Sequence, residues 1–165
     1  MRSLRILLMV GIFAALSGCA SQKFRSYHGP EITHVVVNKG DRRLYLLHND
    51  KVLKTYKIGL GFRPEGDKKV MGDGRTPEGN YFIDRRNPNS KFHLSIGISY
   101  PNPVDVIEAA ELGKSPGGDI FIHGRPRAYR KGGRDWTAGC IAVTDRQMED
   151  IYAMVRTGTP ITINP

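Results

Sequence analysis

Apolar positions along this chain come first as an unbroken run and then as short alternations. Residues 6–16 are almost wholly apolar, and from Ile32 onward the pattern breaks into strand-length pieces. Residues 32–38 are β-branched and apolar and stop at the turn signal Asn38-Lys39-Gly40-Asp41. Residues 43–48 read as a second strand and residues 52–58 as a third, with Val52, Lys54, Tyr56 and Ile58 on one face and Leu53, Thr55 and Lys57 on the other. Short turns between short strands predict an antiparallel meander.

Residues 60–79 are glycine-rich and charged with no period, which predicts loop. Strands are expected at 81–84, 92–100, 119–123, 140–143 and 159–163. Asp105 and Glu108 have capping-box spacing for a short helix over 105–112, with Gly113 as its stop. The firmest helix is 145–156: Thr144 and Gln147 form a capping box, and Met148, Ile151, Tyr152 and Val155 recur at helical spacing. The expectation is a mostly β fold with one short helix near its C-terminal end.

The first run is a targeting signal rather than fold. Arg2 and Arg5 precede an apolar stretch too short to be trusted as a membrane span, and Leu16-Ser17-Gly18-Cys19-Ala20 resembles the lipobox of bacterial lipoproteins. On this reading residues 1–18 are removed, Cys19 is lipidated, residues 19–31 are a loosely ordered tether and residues 32–165 are one domain. The protein is then expected in the periplasm, lipid-anchored and held to the outer membrane. Losing two arginines takes the net charge from +9 to +7, a basic surface suited to anionic phospholipid or the anionic cell-wall polymer. Export argues against nucleic acid.

If Cys19 carries lipid, Cys140 has no partner in its own chain. An unpaired thiol in an oxidising compartment is a candidate nucleophile, although a buried cysteine also serves as a small apolar residue. His123 stands seventeen residues before Cys140, close enough across a loop to act as base. Arg125, Arg127, Arg130, Lys131 and Arg134 lie between them, and their charge would favour thiolate. Gly139 would let the backbone approach closely, so its amides could form an oxyanion hole. One cysteine and scattered histidines do not supply a zinc ligand set, so neither metal nor cofactor is expected.

Ile122-His123-Gly124 followed by Trp136-Thr137-Ala138-Gly139-Cys140-Ile141 resembles the active-site signature of the L,D-transpeptidase (YkuD-like) catalytic domain. The stretch Gly72-Asp73-Gly74-Arg75-Thr76-Pro77-Glu78-Gly79-Asn80-Tyr81-Phe82 resembles a second segment of that family, and the likeness spans residues 32–163. It implies a β-sandwich-like catalytic domain in which Cys140 is nucleophile and His123 is base, held by a carbonyl near Gly124. It also implies peptidoglycan stem peptides containing meso-diaminopimelate as substrate, with transfer through a Cys140 thioester. Substrate contacts are expected from Thr137, Trp136, Arg125, Arg127, Arg134, Arg75, His93 and Tyr100, and a monomer is expected.

This chain has Ala138 where the family commonly has His, and Ala142 where it commonly has Arg. With Phe92-His93-Leu94 and Tyr100-Pro101-Asn102-Pro103, these departures resemble a proteobacterial subgroup that includes a hydrolase releasing a murein-bound lipoprotein. Hydrolysis of L,D-type or diaminopimelate-lysine bonds is therefore the alternative to transpeptidation, and a non-catalytic wall-binding lipoprotein is a further one.

Overall fold

The computed structural model of the chain describes residues 23–125, 127–129, 131 and 133–165. The apolar run at 6–16 and Cys19 lie outside them, so the lipidation expected there does too. Among the described residues the strands are β1 (His34–Asn38), β2 (Arg43–His48), β3 (Lys51–Lys57), β4 (Gly79–Asn87), β5 (Ser95–Ile98), β6 (Phe121–His123), β7 (Ile141–Ala142) and β8 (Pro160–Asn164). The helices are α1 (Pro103–Glu111) and α2 (Asp145–Met154). The strands join in the order β3-β2-β1-β8-β4-β5-β6-β7.

Alternation along β1, β2 and β8 sends Val35, Val37, Leu44, Leu46, Ile161 and Ile163 into one core. The expected meander is present, β1 pairing antiparallel with β2 and β2 with β3. In β3 the expected faces do not hold along the whole strand. A register shift opposite Leu46 and Leu47 makes Leu53 an extra residue, so Leu53 packs on the core while Val52 is 49% exposed. Beyond this bulge Tyr56 and Ile58 point inward.

β4 is longer than residues 81–84 suggest because it serves both halves of the sheet. Gly79 to Phe82 pair with β8, and Ile83 to Asn87 pair with β5 across a register irregularity. The sheet as a whole curls into a half-barrel, the form taken by the expected mainly β, sandwich-like domain.

Helix α1 starts earlier than 105. Asn102 is its N-cap and Asp105 the third helical residue, each side chain bonding the other's backbone, with Pro103 at the first turn. Helix α2 starts as expected, capped by Thr144 and Gln147, and places Met148, Ile151 and Met154 in the core against β5 and β6. It stops at Val155, whose extended backbone ends the helix before residue 156.

Residues 23–31 do not behave as a loose tether. Lys23 Nζ donates to the Pro88 carbonyl at 2.6 Å, Phe24 packs on Tyr152, and Arg25 pairs with Glu149 and Asp150 on α2. Residues 60–78 have no regular element but are pinned from within. Buried Lys39 donates from Nζ to the carbonyls of Gly66 (2.6 Å) and Thr76 (2.9 Å) and to Glu78 (2.8 Å).

Candidate active site

His123 ends β6 and Cys140 immediately precedes β7. The two strands run parallel, with Ile122 opposite Ile141 and His123 opposite Ala142. Side chains alternate across a strand, so Ile122 and Ile141 enter the core while His123, Cys140 and Ala142 share the other face. Parallel neighbours need a long crossover, and the loop between His123 and Cys140 supplies it.

The turn before Cys140 is closed by Thr137. Its hydroxyl donates to the Cys140 carbonyl at 2.6 Å and accepts from the Gly139 amide at 3.2 Å. The Gly139 amide is therefore committed to the turn and not to the oxyanion hole the sequence suggested for it. Gly139 has φ 137°, and a Cβ there would stand 2.7 Å from the Arg75 carbonyl oxygen. The Thr76 hydroxyl in turn accepts from the Gly61 amide at 3.1 Å, and Gly61 bridges to Thr137. The glycine-rich segment around residues 72–79 is thus the backing of the cysteine turn.

His123 is buried, and its Nδ1 lies 2.7 Å from the Gly124 carbonyl. A carbonyl only accepts, so Nδ1 carries the proton and Nε2 keeps the lone pair. The ring is walled by aromatics: Phe92 stacks on it at 4.4 Å and Trp136 meets it edge-on at 5.7 Å. Tyr129 packs on both Phe92 and Trp136. Burial pushes the imidazole below its ordinary pKa, opposed by the bond to Gly124. Burial also pushes the Cys140 thiol up; a hydrogen bond from the Phe121 backbone opposes this, Asp119 adds to the rise and Lys68 lowers it. Both shifts favour the uncharged forms, thiol and imidazole. Among the described residues Lys68 is the cation that lowers the thiol's pKa. Cys140 is a free thiol whose Sγ donates to the Asp119 carbonyl at 3.5 Å.

His123 and Cys140 open into one cleft of about 570 Å³, whose walls include Asn87, Asn89, Lys91 and Phe92. A half-buried thiol and a buried tautomer-fixed imidazole lining one cleft can carry out acyl transfer. Residues 32–163 match the YkuD family, the L,D-transpeptidase catalytic domain.

The chain belongs to this family.

The L,D-transpeptidase domain is 29% identical over 107 residues to YafK of Escherichia coli (strain K12), itself named as an L,D-transpeptidase, the match covering 64% of this chain and 38% of YafK. It is 26% identical over 136 residues to YkuD of Bacillus subtilis (strain 168), also named as an L,D-transpeptidase, covering 79% of this chain and 65% of that one. Among solved structures it resembles the helical cell shape determining protein Pgp2 from Campylobacter jejuni, with TM-score 0.63, 29% identity and coverage of 83% of this chain and 49% of Pgp2. The chain thus spans about half of Pgp2 or less than half of YafK.

Several residues expected to touch substrate in this L,D-transpeptidase domain lie outside the lining of the cleft shared by Cys140 and His123. Tyr100 is buried against Tyr81, its hydroxyl donating to the Pro116 carbonyl at 3.0 Å. His93 turns away to Glu149, with Nε2 2.9 Å from Oε1. Arg75 donates to the Asp67 carbonyl at 3.4 Å. Thr137 closes the cysteine turn and Trp136 covers His123. Arg127 is exposed on a single 3-10 turn. Arg125 lies over Trp136 and bonds the Tyr129 and Gly133 carbonyls, and with Arg134, Lys57 and Ala142 it lines a separate cleft of about 330 Å³. Sequence reasoning missed Asn87, Asn89, Lys91 and Phe92 as cleft walls. Phe92 alone had a signal, its place in the Phe92-His93-Leu94 motif.

Proposed function

We propose that this L,D-transpeptidase domain is a cysteine-dependent acyltransferase of the cell wall, with Cys140 as nucleophile and His123 as base. The observation that carries the reading is the β6–β7 register, which sets both side chains on one face and in one cleft. The substrate is a peptidoglycan stem peptide in which meso-diaminopimelate precedes D-alanine. His123 Nε2 takes the thiol proton as Sγ bonds to the diaminopimelate carbonyl carbon. The bond to D-alanine breaks, its nitrogen takes that proton, and a thioester remains. An amine of a second stem peptide then attacks the thioester, its proton returning to sulfur through His123.

Arg125, Arg134 and Lys57 around the second cleft support a seat for a substrate carboxylate, in place of the arginine that Ala142 lacks. Ala142 itself is buried and bridged to Gly59, so its strand position offers no grip on an acceptor. That favours a second reading, in which water takes the acyl group and the enzyme is a hydrolase that can release a wall-linked lipoprotein.

Residues 1–19 support export and a lipid anchor on Cys19, with the domain in the periplasm, held to the outer membrane as a monomer. No helix of the described residues is long and apolar enough to cross a membrane. Likeness to a protein that determines helical cell shape in Campylobacter jejuni supports the same wall setting.

The test incubates the full chain with disaccharide-tetrapeptide and with lipoprotein-linked muropeptides and reads products by mass spectrometry. Cross-linked dimer with released D-alanine is expected. Release without dimer assigns the hydrolase, and activity retained in Cys140→Ala overturns the mechanism and leaves a wall-binding protein.

A further inference from the structure

The turn beside the histidine is strained, and the N-terminal arm holds it. The Leu94 amide donates to the Phe92 carbonyl at 3.0 Å, closing a three-residue γ-turn with His93 at φ 74°. A β-carbon-bearing residue in this left-handed region persists only where its surroundings hold it there. His93 is held by Glu149, Nε2 to Oε1 at 2.9 Å. Glu149 is only 7% exposed, and its other oxygen accepts from Arg25 Nε at 2.9 Å and Nη2 at 2.7 Å. A guanidinium gripping one carboxylate through two donors is a strong, directional contact. Lys23 fastens the same arm to Pro88, in the segment that forms the cleft wall.

The other side of the turn reaches the histidine. The Phe92 ring stacks on His123, and the Leu94 carbonyl accepts from the Gly124 amide at 3.2 Å. Gly124 has no room for a side chain: a Cβ there would stand 2.7 Å from the Phe92 carbonyl oxygen and 2.6 Å from Asp145 Oδ1. Gly124 is also the residue whose carbonyl fixes His123 Nδ1. A continuous path of contacts therefore runs from Arg25 through Glu149, His93 and Phe92 to His123.

We infer that Glu149, gripped by Arg25 of the N-terminal arm, is a positioning residue for the reaction: it holds the His93 turn and, through Phe92, fixes the His123 ring. The inference rests on the Cys140–His123 reading above. It makes the arm, which precedes the matched residues 32–163, part of the working enzyme. Charged groups around the path are Asp150 and Arg25 beside Glu149, Asp145 beneath Gly124, Arg125 over Trp136, and Lys68 and Asp119 acting on the thiol.

The test follows iodoacetamide alkylation of the full chain against pH, read on the Cys140 peptide by mass spectrometry, alongside thermal unfolding. Arg25→Ala and Glu149→Gln are expected to slow alkylation near neutral pH by about tenfold and to displace the pH profile. Arg25→Lys should recover part of the loss. His93→Gly is the discriminating variant: glycine accepts the positive φ, so the fold holds, yet the link to Glu149 is cut and the loss should match Glu149→Gln. Unchanged pH profiles in these variants, with only the unfolding temperature moved, would overturn the inference. If His123→Ala also alkylates like the parent chain, the Cys140–His123 reading falls and takes this inference with it; if His123→Ala slows while the others do not, this inference alone is wrong.

Discussion

The Arg75 carbonyl lies against Gly139, so close that a Cβ on Gly139 would stand 2.7 Å from the oxygen. Gly139 also sits at φ 137°, a conformation L side chains rarely adopt. The glycine before the candidate nucleophile is thus required twice over, by its own backbone and by a segment 64 residues earlier in the chain.

Gly139→Ala is expected to cost about 2 kcal/mol or more, from backbone strain and from pushing the two segments apart. Thermal unfolding should fall by roughly 4–8 °C for a chain of this size. Cys140 alkylation should slow as well, because the turn that presents the thiol is displaced. A variant that keeps both the unfolding temperature and the thiol reactivity of the parent would contradict the account of this contact.

Acidity should read out the two neutral groups separately. Burial holds His123 below its ordinary value of 6.5, so the acid limb of the rate profile should lie below that of a free imidazole. The unfolded chain protonates His123 at higher pH than the folded one. The stability this group contributes is therefore fully present above about 6.5 and is lost as pH falls through the lower folded value. Cys140 works in the opposite direction: its folded pKa is raised, so its contribution is present below 9.0 and lost as pH rises through the higher folded value. Unfolding temperature against pH, compared with His123→Gln and Cys140→Ala, checks both slopes.

Much of this architecture was legible in the chain because its causes are local. Alternation gave away the meander, and the Thr144–Gln147 box marked the start of α2. Other features were hidden for physical reasons. The bulge at Leu53 depends on the partner strand, so no period within β3 predicts it. Asn102 takes the α1 cap from the expected Asp105 because Pro103 presets the first helical turn. His93 and Tyr100 read as site residues from their neighbours in sequence, yet a buried carboxylate on α2 claims one and the Pro116 carbonyl claims the other. The cleft walls at Asn87–Phe92 come from the end of β4 and the loop after it, which only the folded sheet brings to Cys140.

Lys39→Met should destabilise the domain by about 3 kcal/mol, despite similar side-chain bulk, because Glu78 and two carbonyls lose a buried cation. The lysine is only 2% exposed and ties the Gly66 and Thr76 carbonyls together. Thr76 supports Gly61 and so the cysteine turn, which means thiol reactivity should fall along with stability. Chemical denaturation of the variant measures the first effect and Cys140 alkylation the second. Stability lost with reactivity unchanged would separate the Lys39 network from the site.

Thr137→Val tests the clasp on the cysteine turn with little change of shape. The variant loses the bond to the Cys140 carbonyl at 2.6 Å and the acceptor for the Gly139 amide at 3.2 Å, and Thr137 is only 5% exposed. Leaving buried backbone groups unpaired costs about 1–3 kcal/mol for each group. The expected result is a fall in unfolding temperature together with slower Cys140 alkylation, since the thiol rides on the turn that is released. Thr137→Ser keeps the hydroxyl and should retain most of both properties. If Val behaves like the parent and Ser does not, the hydroxyl is not what holds the turn, and the methyl group's packing is.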